Sequence, residues 1–557
     1  MAHETAHESA HEVLDCLIVG AGPAGLQLGH YLQESARRYL IVEAGDGAGA
    51  FFTRFPRHRT LISVNKVHTG WDDPELNLRM DWNSLLSDDP ELLFTKYSER
   101  YFPAADDYVR YLRDFAERRG LAVRYGTRIR RISRPGGPGP GSGSGSGSEN
   151  EAAAAAGPRP PFEVTADDGT VFRARTVVAA TGLSQPYLPP IPGIETAEPY
   201  TEVSVDPEEF TGKRVLILGK GNWAFETADN LVEKAAVIHV AGPHSVQLAW
   251  RTHFVGHLRA VNNNFLDTYQ LKSQNAVLDG TVQSIDRAPD GGYRVTVSFA
   301  RADEVTKDIH YDRVIVATGF RFDDSIFAPE VRPELTIKDR FPAQTEEFES
   351  VNVPGLRFAG TLTQMRDFKH STSGFIHGFR YNARALHRIL EHREHGVAWP
   401  HSTLDTEAYA IADAVLDRVN RTSALWQLFA YLGDLVTIAP DGEVRHWSEV
   451  PVDFAERALA DGFFGDVASY FTVTLEYGKD HALVDPFDVT AARIAQTDAE
   501  NAPDGRYLHP VVRHVRDGVC LAEHHVTENL ENEWDSPEVH RAPLVDFLAG
   551  ALAEELS

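Results

Sequence analysis

Short apolar β runs alternating with helix-like segments, together with two glycine-rich turns of one spacing about 200 residues apart, predict an α/β chain. The fold class these signals define is two Rossmann-like dinucleotide-binding domains, the second inserted in the first, plus a C-terminal accessory region. The β runs are Cys16–Val19, Tyr39–Val42, Thr176–Ala179, Val215–Leu218, Val237–Ala241 and Val314–Ala317. The expected units are a disordered tail at 1–12, a first domain at 13–199 that resumes at 326–395, a second domain at 200–325, and the accessory region at 396–557.

Composition narrows the function classes. The 557 residues hold 54 basic and 81 acidic side chains, a net charge of −27, which repels phosphate backbones and argues against nucleic acid as a partner. Two cysteines, Cys16 and Cys520, exclude a disulfide framework, a Cys-rich zinc site and a C-x-x-C redox pair. No run of about 18 apolar residues is present, so no membrane span is expected. Met1 to Glu12, MAHETAHESAHE, lacks the basic and apolar regions of a signal peptide and reads as a short solvated tail, so a cytoplasmic protein is expected. The glycine- and serine-rich stretch at 133–161 cannot bury enough apolar area to offset its chain entropy. It is flanked by β-like segments and reads as a flexible loop in a hairpin, within one domain.

The first element that carries chemistry runs from Asp15 to Glu43: CLIV, then Gly20-Ala-Gly22-Pro23-Ala24-Gly25, a helix-like LQLGHYLQ, and YLIVE. Gly20 permits the tight turn, Gly22 lets the backbone approach a pyrophosphate, and Gly25 lets helix and strand pack closely. The helix N-terminus offers free N–H groups to phosphate. Glu43, 18 residues past Gly25, stands where a carboxylate accepts hydrogen bonds from a ribose.

A second copy begins at Lys213: RVLIL, Gly219-Lys-Gly221-Asn222-Trp223-Ala224, FETADNLVEK and AVIHVAG. Ala224 replaces the third glycine, where only a small residue is needed. The second strand here ends in His239–Gly242 with no acid, which permits NADPH without excluding NADH; His244 and Arg251 are the nearest basic candidates. Two cradles imply two dinucleotides, and the economical chemistry is a nicotinamide hydride donor feeding FAD. Two strand ends of the form A-T-G, at Thr181-Gly182 and Thr318-Gly319, supply small residues for a sharp turn beside each cofactor.

Further along, Val353 to Leu362 reads as a strand and a small-residue turn at Gly360-Thr361, with Asp367 nearby and a helix from Gly374. Arg251, His253 and Arg259 make a basic spot suited to a nucleotide phosphate. The following Asn262-Asn-Asn-Phe-Leu-Asp267 block reads equally as a solvated loop or a polar pocket wall.

The order G-A-G-P-A-G, ATG, G-K-G-N-x-A, ATGF resembles the class B flavin monooxygenase superfamily, flavin-containing and N-hydroxylating monooxygenases. Within it the closer likeness is to the FAD-dependent oxidoreductase domain-containing proteins. That likeness is carried by PRHRTLISVNK at 56–66, LRMDWNSLLSDDPELLF at 78–94, GKGNWAFETADN at 219–230 and ESVNVPGLRFAG from Glu349, and covers most of residues 13–395. The resemblance implies an Asn near the reactive edge of the flavin, matched by Asn65 with Lys66 after it. It implies that the strand and turn at Gly360, Thr361 and Asp367 close over the flavin, that the helix from Gly374 aims its N–H groups at the flavin's O2, and that His370, His377 and Arg380 lie on that side. Trp223 stands where relatives often carry Ser. Two features depart from the pattern. The His of the monooxygenase fingerprint falls on Tyr200, and the animal member's endoplasmic-reticulum signals are missing.

The function this implies is an FAD-dependent, NAD(P)H-consuming monooxygenase. It would oxygenate the amine nitrogen or sulfur of a small-molecule substrate with O2 through a C4a-(hydro)peroxyflavin. Two alternatives stand beside it: a reductase exporting electrons to a protein partner without a dithiol, and a flavin-binding scaffold whose C-terminal region recruits a partner or a second copy.

Overall fold

The computed structural model describes residues 13–136, 159–272 and 274–555. The tail at 1–12 and the glycine/serine repeat at 137–158 lie outside the described residues. In the first sheet the strand Val13–Val19 pairs in parallel with Tyr39–Val42 on one side and Val171–Ala179 on the other. Leu17, Ile18, Ile41, Val177 and Val178 are fully or almost fully buried, which is why these strands read as continuous apolar runs rather than alternating ones. Phe162–Ala166 and Ile129–Ser133 extend the same sheet as antiparallel strands on either side of the repeat, so that stretch interrupts a hairpin within one sheet. Leu356–Phe358 returns in parallel to Val171–Ala179.

Between those segments the chain builds a second sheet around Arg214–Leu218, paired in parallel with Val237–Gly242 and Arg313–Val316. Ala276–Arg287 adds a parallel strand, and Tyr293–Phe299 and Thr306–Tyr311 continue it as an antiparallel meander. The second unit is thus inserted in the first.

The region read from sequence as an accessory segment, 396–557, is built into the first unit over its described residues 396–555. It forms a six-stranded antiparallel sheet from His401–Leu404, Val444–Pro451, Leu432–Ile438, Ser469–Glu476, His509–Arg516 and Val519–His525. One face of it, through Leu435, Trp447 and Val450, packs with Ala383, Leu386 and Ile389 of the helix Ile376–His395. The other face, through Val436, Phe471 and Val473, packs with Ile411 and Leu416 of Ala408–Arg421 and with Leu544 and Leu548 of Ala542–Glu555. Among the described residues no helix is long and apolar enough to cross a membrane.

Candidate active site

The two cradles are built alike. Gly20 N–H donates to Val42 O at 2.8 Å and Gly219 N–H to Ala241 O at 2.9 Å, so each turn is tied to the strand beside it. Both glycines have positive φ, +113° and +117°, and a Cβ would lie 2.7 Å from Ala180 O in the first and 2.3 Å from Ala317 O in the second. The carbonyls that crowd them belong to the alanines of the two A-T-G strand ends, which explains that repeat: each strand end abuts the first glycine of its own cradle. Gly25 serves packing, since its Cβ would meet Gly20 O at 2.0 Å. Ala224 does the same in the second cradle, buried in that unit's core. Gly22 and Gly221 differ, because a Cβ on either would meet nothing within 4 Å. Each is followed by a helix whose first N–H groups lack intrahelical partners, Pro23–Glu34 and Asn222–Leu231.

Both turns open on one cavity of about 1170 Å³. Gly20, Gly22, Pro23, Ala24 and Glu43 line its first end, and Gly219, Gly221, Asn222 and Trp223 line the second. Thr181, Gly182, Thr318 and Gly319 lie along it, as do Gly360 and Thr361. Glu43 accepts from the N–H groups of Ala21 and Gly45, each at 2.8 Å, which fixes its carboxylate at the turn. Asn222 lines the cavity but its amide is spoken for. It donates to His257 O at 2.8 Å and accepts from Arg259 N–H at 2.9 Å and the Asn262 amide at 3.2 Å, pinning that loop to the cradle. Asn262 of the asparagine block is therefore a buried brace.

Several expected residues lie elsewhere. Asn65 is 1% exposed and outside the cavity lining, its amide donating to Ser98 O at 2.6 Å, while Lys66 points to solvent. In that segment Ser63 reaches the cavity instead. Arg251 is exposed on the short helix Ala249–Thr252; of the two basic candidates His244 lines the cavity, together with Lys220 of the turn itself. Asp367 is half-buried and accepts from the hydroxyls of Ser371 and Ser373, organising the turn ahead of Ile376–His395; burial pushes its carboxyl up to about 6 despite those bonds. Arg380 is also away from the cavity, fully buried and donating to Leu78 O, Asp81 O and Ser84 O. Of the histidines on this side, His377 lines the cavity and His370 is exposed.

An aromatic stack and a buried acid back the second cradle. Trp223 stacks on Tyr200, with ring centroids 5.1 Å apart and planes 3° from parallel, and meets Phe320 edge-on at 4.3 Å. The Tyr200 hydroxyl donates to Glu226, a cavity-lining carboxyl that burial pushes up to about 7 even though the Tyr200 bond works the other way. An acid with a raised folded pKa loses stability as pH climbs from its unfolded value toward the folded one, here from roughly 4.5 to 7. Glu226→Gln keeps an acceptor for Tyr200 without the charge. The variant is expected to gain on the parent by on the order of 2 kcal/mol more at pH 8 than at pH 5, read from denaturant midpoints. A gap that does not change with pH contradicts the buried acid.

Two cradles of this form facing one cavity define a flavin-dependent oxidoreductase with a pyridine nucleotide as its second dinucleotide. The chain belongs to the pyridine nucleotide-disulphide oxidoreductase family, whose pattern it matches over residues 17–138 and 155–360. It is 37% identical, over 97% of its own length and 84% of the relative's, to FAD-dependent oxidoreductase domain-containing protein 2 of Mus musculus. Among solved structures it resembles a flavin-containing monooxygenase from Stenotrophomonas maltophilia (TM-score 0.50, 20% identity, 69% of this chain and 99% of that one). It resembles a bacillithiol disulfide reductase from Bacillus cereus equally well (TM-score 0.50, 18% identity, 69% and 100%). A monooxygenase and a disulfide reductase match at one score, so the fold alone does not choose between their activities.

Proposed function

We propose that the protein is an NAD(P)H-consuming flavoprotein monooxygenase that delivers one oxygen atom to a soft nucleophile, nitrogen or sulfur, of a small molecule. The balance is substrate, O2, NAD(P)H and a proton giving oxygenated substrate, NAD(P)+ and water. The observation that carries this reading is one cavity shared by both cradles with no thiol in its wall. Cys16 is buried in the strand Val13–Val19, where burial pushes its thiol far up, and Cys520 is exposed on Val519–His525 of the third sheet. A dithiol relay has no residues to run on.

FAD, when bound, supplies the hydride acceptor and the oxygen chemistry. The chain's own residues seat, orient and shield it. In this reading the Gly20–Gly22 turn and the N-terminus of Pro23–Glu34 hold the FAD pyrophosphate, and Glu43 holds a ribose. The Gly219–Gly221 turn seats NAD(P)H beside His244. Gly360, Thr361 and the start of Ile376–His395 cover the flavin's far end. Phe55, Trp223 and Phe320 form an apolar wall that keeps water from the hydride path, while Glu226 holds a proton at that wall near neutral pH.

The test is coupling. FAD-loaded protein with NADPH and O2 is expected to form oxygenated product in proportion to NADPH consumed once its substrate is supplied. Cys16→Ala/Cys520→Ser is expected to turn over at the parent rate. Peroxide accounting for all NADPH with every amine and thioether offered, or turnover that depends on either cysteine, overturns the reading.

A further inference from the structure

One corner of the cavity holds polar groups that no described residue satisfies. His377 is 1% exposed, lines the cavity, and has neither ring nitrogen hydrogen-bonded. Burial, reinforced by the nearby Arg380 and Arg259 charges, keeps its imidazole neutral. The ring stacks on the indole of Trp82, with centroids 4.2 Å apart and planes 20° from parallel. The guanidinium carbon of Arg259 lies 5.0 Å from the centroid of that same indole. Arg259 lines the cavity as well, and its Nη1 is shut off from solvent without a partner. Among the described residues no carboxylate comes within ion-pair distance of it, and the titratable group that offsets its burial is the phenol of Tyr101. A cation held like this is costly unless an anion arrives to pair with it.

The surroundings of the corner are flat and apolar. Phe254 and Phe375 both line the cavity and meet edge-on at 5.6 Å, and Phe375 runs nearly parallel to His377 at 6.2 Å. Its walls also come from both units. Trp82 and His377 belong to the first, whereas Arg259 sits on the loop that Asn222 pins to the second cradle. That is the junction where two seated dinucleotides would meet, beyond the glycine turn expected to hold the nucleotide's phosphates.

We propose that this corner binds the substrate and that the substrate is an organic anion, a carboxylate on a flat apolar body. The carboxylate pairs with Arg259, the neutral His377 supplies a further hydrogen bond, and the body lies against Trp82, Phe254 and Phe375. This rests on the cavity being the reaction site, and it restricts the class of acceptor. A substrate entering as a bare ammonium meets an unpaired guanidinium here and no carboxylate to receive it.

The test reads binding, so it is independent of turnover and its failure is distinct from a failure of the monooxygenase reading. FAD-loaded full-length protein is titrated with phenylacetate, phenylacetamide and phenethylamine, a series that keeps one flat body and varies the charge, by flavin difference absorbance. Phenylacetate is expected to bind at least about tenfold tighter than either of the others, and to weaken as salt is raised. Arg259→Met is expected to abolish the preference and Arg259→Lys to keep part of it, with FAD content and NADP+ affinity unchanged in both. Equal binding of the three compounds, or binding of none, overturns the proposal. So does an Arg259→Met variant that loses NADP+ affinity and keeps phenylacetate, which would assign the cation to a nucleotide phosphate.

Discussion

Gly22→Val and Gly221→Val are expected to give two folded proteins that fail at different steps. Neither position needs a glycine for its own backbone. Gly22 has φ −78° and ψ −179°, Gly221 has φ −97° and ψ −178°, and both are extended conformations that any residue adopts. A Cβ at either position meets nothing within 4 Å, so the branch point of the new side chain has room. What it would fill is the space over the first N–H groups of the helix, where a pyrophosphate must come into backbone contact. Gly22→Val should therefore purify with the parent's circular dichroism and a thermal midpoint within a few degrees, but colourless, and stay so after incubation with FAD. Gly221→Val should purify yellow with full flavin content and no longer be bleached by NADPH under anaerobic conditions. Gly25→Val is the control for the fold. Its Cβ would sit 2.0 Å from a backbone carbonyl, so the helix cannot stay on the strand and insoluble protein is expected. A yellow Gly22→Val protein with stoichiometric FAD would show that the first end of the cavity does not seat a dinucleotide.

The cradles were legible because each is local. Strand, turn and helix follow one another within about 20 residues, and the glycine spacing is set by the same close contacts the structure displays. The corner proposed for the substrate was not, as a group. Trp82, Arg259 and His377 come from three distant segments, and no periodicity or spacing in the chain marks them as neighbours. The Asn65–Lys66 expectation came from a motif resemblance, which fixes a segment's place in the fold without fixing which of its side chains turns inward. Ser63 turns toward the cavity, and the Asn65 amide ties its own segment to Ser98. The third sheet escaped for another reason. Leu432–Ile438 and most of Ser469–Glu476 are buried on both faces, and Asp434, Thr437, Thr472 and Thr474 are buried among them, so neither alternation nor a clean apolar run survives in the sequence.

Truncation after Gly396 is expected to yield no soluble flavoprotein, because the C-terminal sheet supplies the wall on which the first unit's long helix rests. Phe379, Ala383, Leu386, Ile389 and Leu390 of Ile376–His395 are each at most 5% exposed, in one core cluster with Leu435, Trp447, Val450, Phe454 and Phe463. Cutting the chain there bares that face. It also strands two cations, since Arg384 and Arg388 lie within 4 Å of Glu449, which is 6% exposed and bonded to Arg418 at 3.0 Å. The charges can be tested without removing the sheet. Burial opposes ionisation of Glu449, but the three arginines outweigh it and hold its carboxyl below the usual range. Glu449→Gln leaves those arginines short of a charge and is expected to cost about 3–5 kcal/mol, a large part of the roughly 5–15 kcal/mol that stabilises a domain. Acid should loosen the same junction in the parent. Burial likewise works against the Asp434 carboxylate, yet Arg418 and His446 hold it at about 2, so from about pH 4 downward the unfolded chain takes up a proton that the folded one refuses. Urea midpoints from pH 7 to pH 3 read both effects: the parent's stability should fall from about pH 4 downward, and Glu449→Gln should already start low. A truncated protein that is soluble, yellow and reducible by NADPH would mean instead that the helix holds its place without the sheet, and that the C-terminal region is a separable module after all.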